Sequence, residues 1–430
     1  MRLVYFSILL LTVYGDFAKR VLSPSASVAF LYGAALAVAL WMIALPKMKM
    51  PYKAGGEARV ILGCFIFILL LYIFHLLVAL ARGVNFSAIS SALYICIPVF
   101  YSIAILKFYP QFNVVKLAQI FLILMIPVNA VGLIQYFVNP DFLISTAYAA
   151  TGGIIERNLL ETGTTFLRFP SIYVSADRYS ALGLTQCFFA LMVGGLPGQR
   201  KRPNIFWVLL GFAGGIIALL VSGARSRILI TLVLTLLFTL TAIRSLYLRG
   251  GRASFMRKLV KRILIGVFLV VPALFFLIVC NPQLLQYVSN YQVIDFLIMS
   301  FHEGNVTSRI DEAASLSLLP ENISLFGEGL GSLSGKPGEF GIMSMWSEGG
   351  LVFGGLTLVA FIVIILNLTR LAVKSFLKGE PSKTAVFAFP ALVLSFGLLT
   401  GLTGVLEFSS GILLMVSLAA AMKYAYIKPS

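Results

Sequence analysis

The chain is dominated by apolar stretches long enough to cross a lipid bilayer as helices. One of them, Leu117–Val138, contains no charged residue, and a helical crossing needs about 20 consecutive apolar residues. Inside hydrocarbon the backbone must satisfy its own hydrogen bonds, so only helices and closed barrels can span it. Barrel strands are short and alternate apolar with polar residues, whereas these stretches are nearly continuous. The pattern predicts an all-α polytopic membrane protein with a single membrane-embedded domain, 1–430.

Composition agrees with this class of protein. Hydrophobic residues make up 60% of the 430 residues and charged residues 11%, whereas soluble domains are about half apolar and a quarter charged. We predict about 12 transmembrane helices, the first being retained because charge, not a small-residue cleavage site, follows it. The predicted spans are Leu3–Tyr14, Val28–Leu45, Val60–Leu80, Ile89–Leu106, Leu117–Val138, Ala181–Leu196, Ile205–Val221, Ile228–Ile243, Ile263–Cys280, Leu351–Leu368, Ala385–Leu402 and Ile412–Ala425.

The distribution of charge predicts how the chain is oriented. Placing both termini in the cytoplasm puts most of the 33 Lys and Arg residues on the inner loops, as the positive-inside rule requires. The net charge of +17 is then explained by topology and by contact of Arg244–Arg262 with anionic lipid. No nucleic-acid partner is therefore expected. Only two acids, Glu57 and Glu380, fall on inner loops.

Two outward-facing segments, Asn139–Ser180 and Asn281–Phe340, are long and hold most of the acids. Long loops in a compact protein tend to carry function. We therefore expect the outer loops, 139–180 and 281–340, to cover an active site on the outer face of the membrane.

The stretch "VSGARSRILI" places Arg225 and Arg227 in a short outward turn between two spans. Charged side chains near hydrocarbon are costly and are often functional. Two interpretations remain open. The arginines bind an anion, since the guanidinium fork matches phosphate oxygens, or they reach the interface and pair with loop acids.

The second long loop carries three further motifs. "TSRIDEAASLSLL" has helical spacing, with Arg309 at its start and Asp311 and Glu312 in its first turn. "FGEGLGS" is a glycine-rich turn whose backbone N–H groups could line a ligand. "SEGGLVFGGL" leads into the tenth span, where small residues allow close helix packing.

The order of these motifs resembles that of the bacterial O-antigen ligase and O-antigen polymerase (Wzy-type) superfamily. That family shows a Ser-Arg turn, a later arginine before a helix, a Gly-x-Gly-x-Gly turn and an E-x-G-L-x-G helix start. The resemblance covers roughly residues 160–370 by motif. It implies a GT-C-like glycosyltransferase that moves a glycan from a polyprenyl-pyrophosphate-linked oligosaccharide to an acceptor hydroxyl, with inversion and without metal or cofactor.

The resemblance also implies roles for particular residues. Arg225 and Arg309 match the motif arginines and would stabilise the pyrophosphate leaving group. Arg227 is a second candidate for substrate binding, as are Arg168 and Arg178, which flank aromatic residues in "RFPSIYVSADRYS". The aromatic residues could stack on sugar rings or simply form an interfacial belt.

An inverting transfer needs a base for the acceptor hydroxyl, and here the chain departs from the ligases. They usually carry a histidine about nine residues before the E-x-G glutamate, where this chain has Glu339. Glu339 is the predicted base, with His302 and Glu348 as alternatives that could instead bind substrate. His75 lies inside the third span and is expected to be a packed helix residue. No metal-ligand spacing is present among the Cys and His residues.

The missing histidine favours a polymerase over a ligase that would transfer finished glycan to lipid core or protein. A lipid-linked glycan or anion transporter would concentrate ionisable residues at mid-bilayer and show inverted repeats, and no strong repeat is evident. A structural scaffold is a further alternative. The expected location is the bacterial inner membrane, with the active site facing the periplasm. Expected partners are membrane lipid and a chain-length regulator protein.

Overall fold

The part of the chain that the structure describes is mostly helical and holds no strand. The computed structural model describes residues 9, 12–15, 56–84, 114–144, 149, 152–155, 168–173, 175–195, 205–223, 225–248, 325–327, 346, 349–400 and 417. The α-helices are α1 Gly56–Ala81, α2 Val114–Phe137, α3 Ala176–Gly195, α4 Ile205–Ser222, α5 Arg225–Leu248, α6 Gly355–Leu377 and α7 Pro381–Thr400. A π-helical segment, Gly350–Gly354, leads directly into α6.

Five of the described helical segments are long and apolar enough to cross a membrane. They are Arg59–Ala81, Val115–Phe137, Arg227–Ser245, Gly350–Leu377 and Pro381–Leu398. Each overlaps one of the predicted spans. The predicted span Ala181–Leu196 coincides with α3, and Ile205–Val221 coincides with the shorter apolar helix α4. Of the predicted span Leu3–Tyr14 the structure describes residues 9 and 12–14, which are helical. The predicted spans Val28–Leu45, Ile89–Leu106, Ile263–Cys280 and Ile412–Ala425 lie wholly or almost wholly outside the described residues.

Charged side chains bind one end of the bundle together. Lys374 Nζ lies 2.8 Å from Glu57 Oε1, which joins the end of α6 to the start of α1. The hydrogen bond from Lys374 holds the pKa of Glu57 below its usual value. The contact therefore contributes to folding stability at pH values above the usual pKa of a glutamate, and this contribution is lost as the pH falls through the lowered pKa of Glu57. Arg244 Nε donates to the Leu377 carbonyl oxygen at 3.0 Å, between the last turns of α5 and α6. We call this end of the bundle the lysine end.

These contacts also give the directions of the helices. α1 runs antiparallel to α6, because the start of one meets the end of the other. α5 runs parallel to α6, because their last turns meet at Arg244. The first turns of α5 and of the π-helical segment therefore lie at the opposite end of the bundle. We call that end the arginine end.

The interior between α2 and α3 contains a hydrogen-bonded polar network. The Tyr179 hydroxyl donates to Asn129 Oδ1 at 3.1 Å, and Asn129 Nδ2 donates to Gln186 Oε1 at 3.2 Å. All three side chains are buried. Hydrogen bonds between helices in an apolar medium stabilise a particular pairing and register. The network therefore orients α3, whose first turn carries the residues discussed below.

Helices α3 and α4 approach each other at small residues. A Cβ atom added at Gly215 would lie 2.7 Å from the Gly183 carbonyl oxygen, and one added at Gly183 would lie 2.7 Å from the Ala218 Cβ. Close backbone approach through small residues is how helices associate in lipid, where apolar burial provides little driving force. The contact fixes the position of α4 and hence of the turn that follows it.

We predict that Gly215→Ala destabilises the protein by about 1–3 kcal/mol, because the added methyl group meets backbone that cannot move without separating the helices. The matched control is Gly63→Ala on α1, where an added Cβ has no atom within 4 Å. That change should be neutral or stabilise by about 0.5–1 kcal/mol through helix propensity. Thermal unfolding of the purified protein in detergent measures both. Equal stability of the two variants would contradict the described packing.

Candidate functional site

The arginine end is built around a tight turn between α4 and α5. Gly223 has φ +64°, a left-handed conformation that glycine adopts without steric cost. α5 begins at Arg225. Arg225 and Arg227 therefore belong to the first turn of a helix, which corrects their predicted placement in the loop itself. Because the chain reverses direction at Gly223, α5 already begins two residues later, at Arg225.

Asp177, in the first turn of α3, is the partner of two arginines. Arg168 Nη2 lies 2.6 Å from Asp177 Oδ1, and Arg227 Nη1 lies 3.3 Å from the same oxygen. Arg227 Nη1 also donates to the Asp177 carbonyl oxygen and to Ser180 Oγ. Two guanidinium groups thus contact one carboxylate. We call Arg168, Asp177, Ser180 and Arg227 the arginine cluster.

The cluster joins three helix ends. Arg168 Nε donates to the Ser222 carbonyl oxygen at 3.2 Å, which caps the last turn of α4 as basic side chains commonly do. The backbone N–H of Phe169 donates to the Val221 carbonyl oxygen at 3.2 Å. Because Asp177 belongs to α3 and Arg227 to α5, a single group of hydrogen bonds positions the ends of α3, α4 and α5.

The start of α3 is capped by Ser175. Its Oγ accepts a hydrogen bond from the Arg178 backbone N–H at 3.3 Å, in the arrangement of a serine N-cap. Asp177 in this first turn also favours the positive end of the helix dipole. Arg178, half-buried on the same turn, is brought to the arginine end with Arg168 and Arg227.

The segment that carries Arg168 is held on α2 by a strained serine. Ser171 has φ +56°, a conformation that costs a non-glycine residue of order 1–3 kcal/mol. Its backbone N–H donates to Gln135 Oε1 at 2.8 Å, Gln135 Nε2 donates back to its carbonyl oxygen at 2.8 Å, and its Oγ donates to the Val128 carbonyl oxygen at 2.7 Å. These three bonds hold the segment 168–173 in one position.

Side-chain exposure distinguishes the members of the cluster. Arg227 is 16% exposed, Arg168 26% and Asp177 56%. Arg227 is therefore largely enclosed and paired with an acid at the end of the first outer loop, as the second interpretation expects, while substrate binding by Arg227 stays a prediction. Anion binding remains a prediction for Arg225, of which the structure describes the backbone position at the start of α5.

Leu325 and Phe326, where the glycine-rich motif begins, contact the start of the tenth span at the same end. The backbone N–H of Val352 donates to the Leu325 carbonyl oxygen at 3.1 Å, and the rings of Phe326 and Phe353 lie 5.7 Å apart. Gly327 and Gly350 both have positive φ angles, +69° and +66°. The described start of "FGEGLGS" thus lies beside the described part of "SEGGLVFGGL", although the two are separated in sequence.

Four predicted site residues, Arg309, Glu339, His302 and Glu348, lie outside the described residues. Within the described part of the chain no group of three or more His, Cys, Asp and Glu residues could hold a metal ion. Asp177 is a site residue that no sequence motif indicates, although the serine cap two residues before it marks a helix start. No motif indicates Ser171 or Gln135 either, because their pairing depends on tertiary structure.

The chain matches no protein-family model, and it has no significant match among curated proteins.

We predict that Arg227→Ala destabilises the protein by about 1–3 kcal/mol, because it removes several hydrogen bonds from a largely enclosed site at once. Arg370→Ala is the control, since Arg370 is exposed on α6 and such substitutions usually change stability by less than about 0.5 kcal/mol. Thermal unfolding in detergent measures both variants. If the two variants unfold at the same temperature, the arginine cluster does not hold the helix ends together.

Proposed function

We propose that the chain is a polysaccharide polymerase that acts at a membrane surface on glycans linked to polyprenyl pyrophosphate. The observation that carries the proposal is the gathering of arginines where α5 begins: Arg168 and Arg227 both contact Asp177, and Arg225 occupies the first position of α5. A pyrophosphate is an anion that guanidinium groups bind well. The order of the sequence motifs supports the same chemistry.

In this mechanism the enzyme joins two substrates without a covalent intermediate. The acceptor hydroxyl oxygen attacks the anomeric carbon of the donor sugar, the bond from that carbon to the pyrophosphate breaks, and the configuration inverts. Arg225 and Arg309 stabilise the charge that develops on the leaving pyrophosphate. Glu339 takes the hydroxyl proton, with His302 and Glu348 as the alternative bases. Arg168, Arg178 and Arg227 shape the donor side of the site.

The distribution of ionisable residues favours an enzyme over a transporter. In the described helices, Asp, Glu, Lys and Arg lie within about two turns of a helix end, as Lys116, Arg244 and Arg370 illustrate. A transporter is expected to place such residues near the middle of broken helices. We therefore assign the chemistry to the membrane surface at the arginine end, which in a bacterial inner membrane is the periplasmic face.

Reconstituted protein supplied with a polyprenyl-pyrophosphate-linked repeat unit should produce a ladder of longer glycans and release polyprenyl pyrophosphate. Arg225→Ala should reduce transfer by about a hundredfold or more, because it removes a donor that acts on the leaving group. Arg225→Lys should also be impaired, since it keeps the charge and loses the two-pronged fork. Gel analysis of the products measures the rates.

Arg370→Ala, at the lysine end of the bundle, is the control and should transfer at the wild-type rate. Wild-type activity in both Arg225 variants would remove that residue from the site. A wild-type protein that makes no product but moves the lipid across the bilayer would replace the enzyme with a transporter.

Glu339→Gln should reduce transfer by about 10²–10⁴-fold, the usual contribution of a general base, while the protein stays folded. The same change should leave binding of the donor intact, because a neutral amide of equal size replaces the carboxylate. Single-turnover transfer and donor-dependent thermal stabilisation separate the two effects. Transfer near the wild-type rate would eliminate Glu339 as the base.

A further inference from the structure

One oxygen atom of Asp177 lies between two guanidinium groups that come from different parts of the fold. Arg168 Nη2, from the segment 168–173, lies 2.6 Å from Asp177 Oδ1, and Arg227 Nη1, from the first turn of α5, lies 3.3 Å from the same atom. Guanidinium donors that converge on an anionic oxygen are the contacts by which proteins commonly bind phosphate groups. The carboxylate oxygen therefore marks a position that suits a phosphoryl oxygen.

The two guanidinium groups are also held by contacts that do not involve this carboxylate. Arg168 Nε donates to the Ser222 carbonyl oxygen at 3.2 Å. Arg227 Nη1 donates to Ser180 Oγ and to the backbone carbonyl oxygen of Asp177. Because each arginine has these further acceptors, both would keep their places if the carboxylate turned away. Donors that are already ordered bind an anion at a lower entropic cost than donors that must first be ordered.

The carboxylate is the most exposed of the three charged groups. Asp177 is 56% exposed, whereas Arg168 is 26% and Arg227 16% exposed. Asp177 is the second residue of α3, and rotation about its χ1 torsion between staggered positions moves the carboxylate as a unit. Since solvent already reaches the carboxylate, the position that it leaves is open to a ligand from the membrane surface.

A pyrophosphate group can compete for this position. It carries more than one negative charge and several oxygens, so it can contact both guanidinium groups through separate oxygens. An ion pair whose carboxylate faces water contributes little to stability, because water solvates the released carboxylate well. Exchange of one anion for the other therefore keeps both arginines paired at every stage and leaves no charge without a partner.

We propose that Asp177 Oδ1 occupies the binding position of a phosphoryl oxygen of the donor, and that carboxylate and pyrophosphate exchange there in each turnover. With the donor bound, Arg168 and Arg227 contact the pyrophosphate, and the Asp177 side chain faces water. After transfer the carboxylate returns and displaces the polyprenyl pyrophosphate. The proposal rests on the proposed polymerase function and assigns part of its donor site. Pairing with an acid and binding of an anion are then two successive states of Arg227.

The experiment removes the charge of Asp177 and keeps its shape. Asp177→Asn is isosteric, and asparagine is well accepted at the start of a helix. The measurement is the Kd of inorganic pyrophosphate for the purified protein in detergent, by titration calorimetry at constant ionic strength without divalent metal. The Kd should fall about tenfold, as expected if the carboxylate fills the position about 90% of the time and the apparent affinity scales with the open fraction.

Glu57→Gln is the matched control. It makes the same change in net charge, and it also removes a carboxylate from an ion pair, here with Lys374 at 2.8 Å. This pair lies at the lysine end, and α6, with 23 residues, is about 34 Å long. Because charge is screened over about 8 Å at physiological ionic strength, the Kd of pyrophosphate should stay within about twofold of wild type. An equal fall in Kd for both variants would assign the effect to net charge and overturn the proposal.

A double variant tests whether the anion binds at the arginine cluster. Arg168→Ala combined with Asp177→Asn removes one of the two converging donors. It should lose the affinity that Asp177→Asn gains, because the two residues act on the same oxygen position and their effects are coupled. If the double variant keeps the gain, pyrophosphate binds elsewhere and the proposal is wrong.

A purely structural role for Asp177 predicts a change of the opposite sign. If the carboxylate only ordered the arginines, its loss would weaken the binding of pyrophosphate. An unchanged or higher Kd in folded Asp177→Asn would therefore overturn the exchange. Asp177→Ser also lacks the charge and also suits a helix start, so it should show the same fall in Kd and replaces the asparagine variant if that variant does not fold.

Anionic lipid is the other source of phosphoryl oxygens at this surface. Nanodiscs of phosphatidylcholine, with and without phosphatidylglycerol, distinguish it from the donor. The ratio of the wild-type Kd to the Asp177→Asn Kd for pyrophosphate should be the same in both. If the gain appears only without phosphatidylglycerol, a lipid head group fills the position and the assignment to the donor is overturned.

Assays of glycan transfer separate the exchange from the overall function. If wild-type protein forms product and pyrophosphate inhibits Asp177→Asn at about tenfold lower concentration than wild type, both proposals are supported. If product forms and the Kd of pyrophosphate is unchanged in Asp177→Asn, the exchange is wrong and the polymerase stands. If no product forms and the Kd still falls, the polymerase and the assignment to its donor are wrong, and the exchange describes an anion site of another function.

Discussion

The sharing of Asp177 by Arg168 and Arg227 is the interaction on which the arginine end depends. Apolar packing holds the helices side by side, but it does little to fix how far each helix extends toward the membrane surface. The carboxylate joins the start of α3 to the start of α5, and Arg168 connects both to the end of α4. Each arginine also donates to a backbone carbonyl oxygen. The two guanidinium groups therefore fix the relative positions of the start of α3, the end of α4 and the start of α5.

The molecule separates polar interactions by depth. Its interior contains neutral hydrogen-bonded side chains, of which Tyr179, Asn129 and Gln186 form one connected set. Its described ion pairs lie at the two ends, with Glu57 and Lys374 at one and Asp177 at the other. Neutral hydrogen bonds are tolerated in an apolar medium at far lower cost than charge. At the arginine end, charged groups near the surface thus lie above an interior held together by neutral hydrogen bonds.

Within the described part of the chain, the predicted spans coincide with helices where an apolar run is bounded by charge or glycine, as for α2 and for α4 before the turn at Gly223. It could not predict the partner of Arg227, because Asp177 is distant along the chain and the pairing depends on how α3 packs against α5. His75 illustrates the same limit. Its position in a span predicts a packed side chain, and the structure confirms the burial, but the absence of a described partner for Nε2 emerges only when α1 and Gly349 are placed together.

The left-handed turn at Gly223 couples the rotation of α5 to that of α4, because the connection is too short to absorb a change in phase. Each residue of an α-helix advances by about 100° and 1.5 Å. One residue inserted or deleted between α4 and α5 would therefore turn Arg225 and Arg227 by more than a quarter of a circle relative to Asp177. In evolutionary terms this connection should accept substitutions to residues such as Asn that tolerate positive φ, but should be closed to changes in length.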